Sequence, residues 1–378
     1  MMCLLFRQYQ LRYFNYRTNI LTTVRIRFIY LLTMIYKSKF RQSYLFFLCA
    51  VLFFSCSKTN KPDVSDIKLT IKVERFDKDL YQGKDQKIRL TDSILHQKYG
   101  AFYEDFIFKM VGNDSYTSQE VLQGLYNDKA YFDLNKEVDS VFPNLTQVEN
   151  ELTQSFKYIK HYYPKAQIPR FIGFLSGFSY QTPIGDNYIG IGLDMFLGKD
   201  SKFYGALVHS IPFYLSRKFT PAYIVPRVSE YYVRENLFKE RDEDRSLLSK
   251  MIYNGKILYF MDQIMPDNMP DSVKIGYTDK QLGWCKAFEA EIWGFYLESN
   301  LLYETDYPKI QVYLSEGPFT PGLGENQQSA PKLGVWTGWQ IVRKYMKENP
   351  DVTLQQLMAD TDAQKILTKS KYKPKLMK

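Results

Sequence analysis

The sequence predicts an α+β domain, a small β-sheet followed by a mainly helical C-terminal half, and three observations carry that expectation. Ile67, Leu69, Ile71 and Val73 alternate with polar neighbours, the two-residue period of a half-buried strand. Two short apolar runs, 171–175 and 188–193, flank a loop containing Pro183, Gly185, Asp186 and Asn187, and this pattern reads as a β-hairpin. Between them and the first strand, Val148, Leu152, Phe156, Ile159 and Tyr163 recur every three or four residues, which predicts an amphipathic helix over 146–163, limited by Pro164. Beyond the hairpin the helical period dominates, over 203–217, 226–238, 244–264, 279–300, 335–348 and 353–368. In the helix over 335–348, Val335, Trp339, Val342 and Met346 form a core-facing stripe, with Trp336 and Trp339 directed partly to different sides. No internal repeat and no Gly-Ser or Pro-rich linker interrupts the body, so a single globular domain is expected over 66–378.

Charge divides the chain. Its first 55 residues hold eight basic side chains and no Asp or Glu; removing those eight from the 50 Lys and Arg leaves 42 against 41 acidic residues. The formal charge of +9 therefore belongs to the leader, and the near-neutral body gives no ground for a nucleic-acid partner, which would need a standing excess of cations on the folded domain. The apolar run 44–54 is too short to span a bilayer as a helix. Preceded by Lys37, Lys39 and Arg41 and closed by Phe53-Phe54-Ser55-Cys56, it reads as an export signal. The closing tetrapeptide resembles the bacterial lipobox, whose Cys is lipidated and becomes the new N-terminus, with Phe53 standing where Leu is usual. Residues 34–55 are thus expected to be a lipoprotein signal peptide, Cys56 the lipidation site, and the polar 56–65 a tether. Residues 1–33 have no place in such a signal, and translation is expected to start at Met34. Of the four Cys only Cys285 lies in the body, so the exported domain is expected to rely on its core rather than on disulfides.

Candidate chemistry is sparse. His96 and His161 read as surface residues of helices. His209, in Leu207-Val208-His209-Ser210-Ile211-Pro212-Phe213, follows the sheet where a zinc peptidase would carry His-Glu-x-x-His. Here Ser210 stands in place of the Glu and Phe213 in place of the second His, so no metal site and no cofactor are expected, and His209 reads first as a hydrogen-bonded core or pocket residue. Glu291 falls on a line of Trp284, Phe288 and Phe295, so it is expected either to pair with an Arg such as Arg343 or to belong to a functional pocket. Asp194, just beyond the hairpin, is the third candidate. Gly190 and Gly192 lack the third glycine and the following helix of a dinucleotide fingerprint and read as allowing close strand packing. The 317–322 stretch reads as a shaped surface loop.

Several segments together resemble the gliding-motility lipoprotein GldB family of the Bacteroidota: Val73-Glu74-Arg75-Phe76-Asp77, NYIGIGLDMFLG at 187–198, AYIVPRV at 222–228, EAEIW at 289–293, EGPFTPG at 316–322 and GVWTGWQIVRKYM at 334–346. The resemblance implies a cell-envelope lipoprotein serving gliding motility, within a machinery coupled to type IX secretion and with other envelope proteins as partners. It also implies distant kinship with zinc peptidases, hence a degenerate zincin-like scaffold on which His209 to Phe213 would occupy the lost motif. A non-catalytic binding role is the reading these residues favour. The alternative is a peptidase-like hydrolase with a rearranged site built from His209, Glu291 and Asp194.

Overall fold

The computed structural model describes residues 61–375 except positions 113, 208, 242, 325 and 326. The expectations for the leader, the signal peptide and Cys56 lie outside the described residues. From Lys61 the chain is already packed: the ammonium of Lys61 pairs with Asp267 at 2.8 Å and Val64 is buried.

The fold is α+β, with one four-stranded sheet and helices between β1 and β2 and after the last strand. The elements, in chain order, are β1 (Val73–Arg75), α1 (Phe76–Gln82), α2 (Ile88–Tyr99), α3 (Ala101–Asp105), α4 (Ser118–Asn127), α5 (Lys129–Val141), α6 (Thr146–Tyr162), β2 (Arg170–Phe174), β3 (Ile184–Gly185) and β4 (Tyr188–Gly192). The C-terminal half adds α7 (Lys202–Ala206), α8 (Phe213–Ser216), α9 (Ile224–Tyr232), α10 (Leu247–Ile264), α11 (Asp271–Ile275), α12 (Asp279–Ala287) and α13 (Glu289–Glu298). It ends with α14 (Tyr307–Ile310), α15 (Leu333–Glu348), α16 (Leu354–Ala359) and α17 (Ala363–Ser370).

Strand order is β1-β2-β4-β3. The two apolar runs do become strands, but β2 and β4 pair in parallel, Arg170 opposite Tyr188 and Phe174 opposite Gly192, so they are not the two arms of a hairpin. The true hairpin is β3 with β4, closed by Asp186 and Asn187, whose φ of 59° supplies the left-handed conformation a tight turn needs. The physical reason was present in the runs themselves. They are continuous rather than alternating, and both faces of β4 are buried, as in strands covered on two sides. The glycines of β4 allow the close approach expected of them: a Cβ on Gly190 would lie 2.7 Å from Pro183 and one on Gly192 2.2 Å from the carbonyl oxygen of Tyr180.

The opening alternation 67–73 does not form a strand of its own; of its residues only Val73 joins the sheet, at the start of β1. Residues 71–73 are instead stitched to α6, where Thr153 Oγ1 accepts from the Ile71 amide and Glu149 Oε1 from the Val73 amide. Helix is also not confined to the C-terminal half, because α1–α5 fill the stretch between β1 and α6. Their aromatic residues gather on Phe76, whose ring lies within 5.1 Å of those of Tyr99, Phe102 and Phe106 in edge-on geometry. Helix α6 covers 146–162 as the periodicity predicts.

In the C-terminal half three long predicted helices are divided. The 203–217 segment is reduced to α7 and α8 around a turn, since Pro212 cannot donate into a continuing helix. A break at Phe288 separates α12 from α13, and Asp360–Asp362 separate α16 from α17. The centre of this half is the crossing of α10 and α15. An ideal Cβ on Gly338 would lie 1.9 Å from the Met251 carbonyl oxygen and one on Gly255 2.3 Å from the Gly338 carbonyl oxygen, so the two glycines let the backbones touch. Trp336 and Trp339 are both buried, 1% and 0% exposed, so neither points to solvent. The indole of Trp339 donates to Asp262, beneath the Arg343 guanidinium 3.7 Å from its ring.

Candidate functional site

The three residues singled out from the sequence occupy different environments. Asp194 is fully buried. Its Oδ1 accepts from the Ser176 amide at 2.8 Å, and its Oδ2 from the Ser176 hydroxyl at 2.9 Å and the Phe178 amide at 2.7 Å. Burial pushes this carboxyl above the usual carboxylate range, and those three donors only partly offset it. Its role is to hold the loop that crosses from β2 toward β3.

His209 lies in the exposed turn after α7, where the Ser210 and Ile211 amides both donate to the Leu207 carbonyl. It is therefore not the core or pocket histidine expected. Phe213, at the position of the second metal-binding His, is 67% exposed. Glu291 is exposed in the first turn of α13, where a carboxylate suits the positive end of the helix. The line of Trp284, Phe288, Glu291 and Phe295 is not one buried stripe, because the helix breaks at Phe288 and the buried positions are Cys285, Ile292 and Tyr296. Nor does Arg343 reach Glu291. It forms paired bonds to Asp262 at 2.8 Å and to Asp271 at 2.7 and 2.9 Å. Among the described residues no hydrogen bond or ion pair joins His209, Asp194 and Glu291, and no group of three or more His, Cys, Asp or Glu is placed to share a metal ion. His96 and His161 sit exposed on α2 and α6, as expected.

The chain does gather charged residues elsewhere. Glu316, at the head of the 316–322 loop, lies between Lys218, 2.9 Å from Oε2, and Lys332, 2.5 Å from Oε1. Lys218 follows α8 and is 4% exposed; Lys332 takes a left-handed conformation, φ 43°, immediately before α15. Around this trio stand Arg217, bonded to the Gly276 carbonyl at 2.8 Å and to Gln281, and Arg227 and Arg234 of the α9 region, which share Glu230 at 3.5 and 2.9 Å.

The electrostatics explain themselves from the composition of the cluster. Burial pushes the Glu316 carboxyl upward, but Lys332 and Lys218 outweigh it and hold it down at about 2. Lys218 moves the other way from an ion-paired lysine. Burial lowers it, Glu316 opposes, and the like charges of Lys332 and Arg227 add to the lowering, leaving it at about 8. One carboxylate thus serves two ammonium groups, that of buried Lys218 and that of half-buried Lys332, with Arg227 nearby. The carboxylate is ionised and engaged rather than free to accept a proton near neutrality.

Sequence reasoning passed over Lys218, Glu316 and Lys332. The available signal was charge inside otherwise apolar or turn-forming segments: Lys218 between Phe213 and Phe219, Glu316 before the Gly-Pro loop, and Lys332 directly before a helix with two Trp. Glu316 and Arg227 fall within the segments that carry the family resemblance.

A family model described as gliding motility protein GldB matches residues 57–374, the whole of this fold. The chain belongs to the GldB family. No curated protein and no solved structure matches it. Membership makes it a gliding-motility lipoprotein by family. In GldB terms, the family segments are largely architectural here. Arg75 in the first segment bonds Asp77 at both carboxylate oxygens and the Phe142 carbonyl, Asp194 pins the loop after β2, and the 334–346 segment forms the α15 side of the central helix crossing. The family match carries no zinc-peptidase kinship with it. Among the described residues no helix is long and apolar enough to cross a membrane.

Proposed function

We propose that this GldB-family chain is anchored by lipid on Cys56 at the periplasmic face of the cell envelope, at the outer membrane in preference to the inner. There it supports gliding as a non-catalytic binding and assembly component of the motility and type IX secretion-linked machinery, with other envelope proteins as partners. The family match carries the motility role. The non-catalytic part is supported by the placement of the candidate catalytic residues. His209 is an exposed turn residue beside Ser210 and Phe213, the Asp194 carboxylate is sealed under three donors, and Glu291 faces solvent on a separate helix.

Catalysis by a His–carboxylate pair needs the two groups within hydrogen-bond reach and oriented by their surroundings. Buried Asp194 and exposed His209 do not offer that relation. The cationic cluster around Lys218, by contrast, is held rigidly and leaves Arg227 partly exposed, which suits recognition of an acidic partner surface. The test is deletion of the gene followed by complementation. Loss of gliding on deletion, rescue by the parent gene, and release of a Cys56→Ser variant from membranes are the expected results. Unimpaired gliding in the deletion strain, or an unmodified Cys56 in the membrane fraction by intact-mass measurement, would contradict the proposal.

A further inference from the structure

A cleft of about 700 Å³ opens between Phe238, the middle of α10 and the turn joining α16 to α17. Its volume falls in the range of small-molecule sites. Tyr163, Phe238, Ile252, Tyr253 and Met358 give it an apolar and aromatic lining, and these walls are braced. The Tyr163 and Phe238 rings meet edge-on at 5.2 Å, Phe238 packs on Phe260 at 5.4 Å, and the Tyr253 hydroxyl donates to the Phe238 carbonyl at 2.9 Å.

Into this lining projects one buried cation. Lys256, on α10, is 8% exposed and lines the cleft. Its ammonium donates to the carbonyl oxygens of Asp360 at 2.8 Å and Met358 at 3.3 Å. Both are neutral acceptors. The nearest carboxylate, that of Asp360, is turned away, with Oδ2 on Lys365 at 2.7 Å and Oδ1 on the Asp362 amide. The ammonium thus makes two of its three hydrogen bonds to neutral groups, and among the described residues no carboxylate lies within ion-pair distance, Asp360 acting on it only through space. Burial lowers Lys256 to about 8 against the opposing pull of Asp360, so an anion reaching the ammonium would stabilise its charged form.

We propose that the cleft binds a monocarboxylate carried on an apolar or aromatic body, with Lys256 as its counter-charge. The third ammonium hydrogen would meet one carboxylate oxygen, and the aromatic walls would cover the body. A doubly charged phosphate fits less well, because two carbonyl oxygens already face the same ammonium and the acids Glu235, Glu240, Glu243 and Asp244 of the rim outnumber its cations Lys239 and Arg241. Two sources share the required chemistry: a free organic acid and the C-terminal carboxylate of a peptide segment.

The probe is 3-phenylpropionate, titrated into the full mature protein by calorimetry, with the neutral 3-phenylpropionamide and inorganic phosphate as comparisons. A fragment of this size is expected to bind with a dissociation constant of roughly millimolar order. The acid should bind at least about tenfold more tightly than the amide, the increment expected when one desolvated charge pair is lost. Lys256→Met keeps the length of the side chain and should abolish this preference. Should that variant fail to fold, Ala359→Trp fills the cleft from its exposed rim and should block the acid without touching the lysine. Equal binding of acid and amide, undetectable acid binding, displacement by phosphate as effective as by a second carboxylate, or a preference that survives Lys256→Met would each overturn the proposal. A peptide ending in Phe with a free C-terminus, compared with its amidated form, separates the sources. Tighter binding than 3-phenylpropionate assigns a partner's C-terminus, and exclusion of the peptide while 3-phenylpropionate binds assigns a free acid.

Discussion

Replacing Glu316 by Gln removes one negative charge and nearly nothing else, and the structure sets the consequence. Lys218, 4% exposed, and Lys332 then face each other across an amide, with Arg227 nearby. Breaking a buried pair by deleting one partner typically costs about 3–5 kcal/mol. An independent route gives a similar size. The Glu316 carboxyl is held at about 2 against an ordinary 4.5, a separation worth roughly 3 kcal/mol at neutral pH. Because the folded value is depressed, this stabilisation is fully present above 4.5 and is lost as pH falls through about 2. The assay is denaturant unfolding of parent and variant at several pH values. Glu316→Gln should be less stable by roughly 3 kcal/mol near neutrality, and the gap should close between about pH 4.5 and pH 2. The double variant Lys218→Met/Glu316→Gln should regain much of the loss, since it removes the stranded cation. A Glu316→Gln protein within about 1 kcal/mol of the parent at neutral pH, or a gap that stays constant into acid, would refute the electrostatic account of this cluster.

Other substitutions probe the rest of the fold. Gly338→Ala places a methyl group where the Met251 carbonyl oxygen lies 1.9 Å away, so thermal or denaturant unfolding should show a loss of about 3 kcal/mol or more; a loss below about 1 kcal/mol would mean α10 and α15 do not touch as described. Asp194→Ala strips the acceptor from two backbone amides and a hydroxyl and should cost on the order of 3 kcal/mol, with increased proteolysis in the 175–187 connection; unchanged stability would remove its structural role. His209→Ala and Glu291→Gln, both at exposed positions, should each alter stability by no more than about 0.5 kcal/mol.

What could be read from the sequence followed the physics of each element. Helix α6 was legible because its apolar positions repeat every three or four residues over 17 residues and Pro164 follows. The two inner strands were legible as strands but not as parallel partners. Pairing direction depends on a 13-residue crossover, 175–187, whose course is fixed by the bonds of Asp194 and by Asn187 in the turn, neither of which leaves a periodic trace. The helix breaks at Phe288 and after Ala359 were hidden for a related reason. Apolar spacing runs on across them, while the capping boxes at Thr278 and Thr353 mark only the starts of the helices.

The candidate site shows the same limit more sharply. His209, Glu291 and Asp194 attracted notice through residue type and position in a motif or stripe, but type does not reveal exposure. The cluster of Lys218, Glu316 and Lys332 joins residues about a hundred positions apart, and the pairing of a buried lysine with a distant carboxylate is a tertiary fact. The family segments were legible because they are contiguous in sequence, and the match over 57–374 bears out that recognition.

The proposal at the centre of this account is that the protein serves gliding as a non-catalytic scaffold, with no chemistry at His209 or Glu291. It is tested most directly by complementing a deletion strain with a His209→Ala/Glu291→Gln gene, with membrane abundance measured alongside cell movement. Both side chains are exposed and neither is bonded to Asp194, so the account predicts normal accumulation and gliding at the parental level. A variant that reaches the membrane at parental abundance yet leaves cells unable to glide would contradict it and place a functional site at those residues.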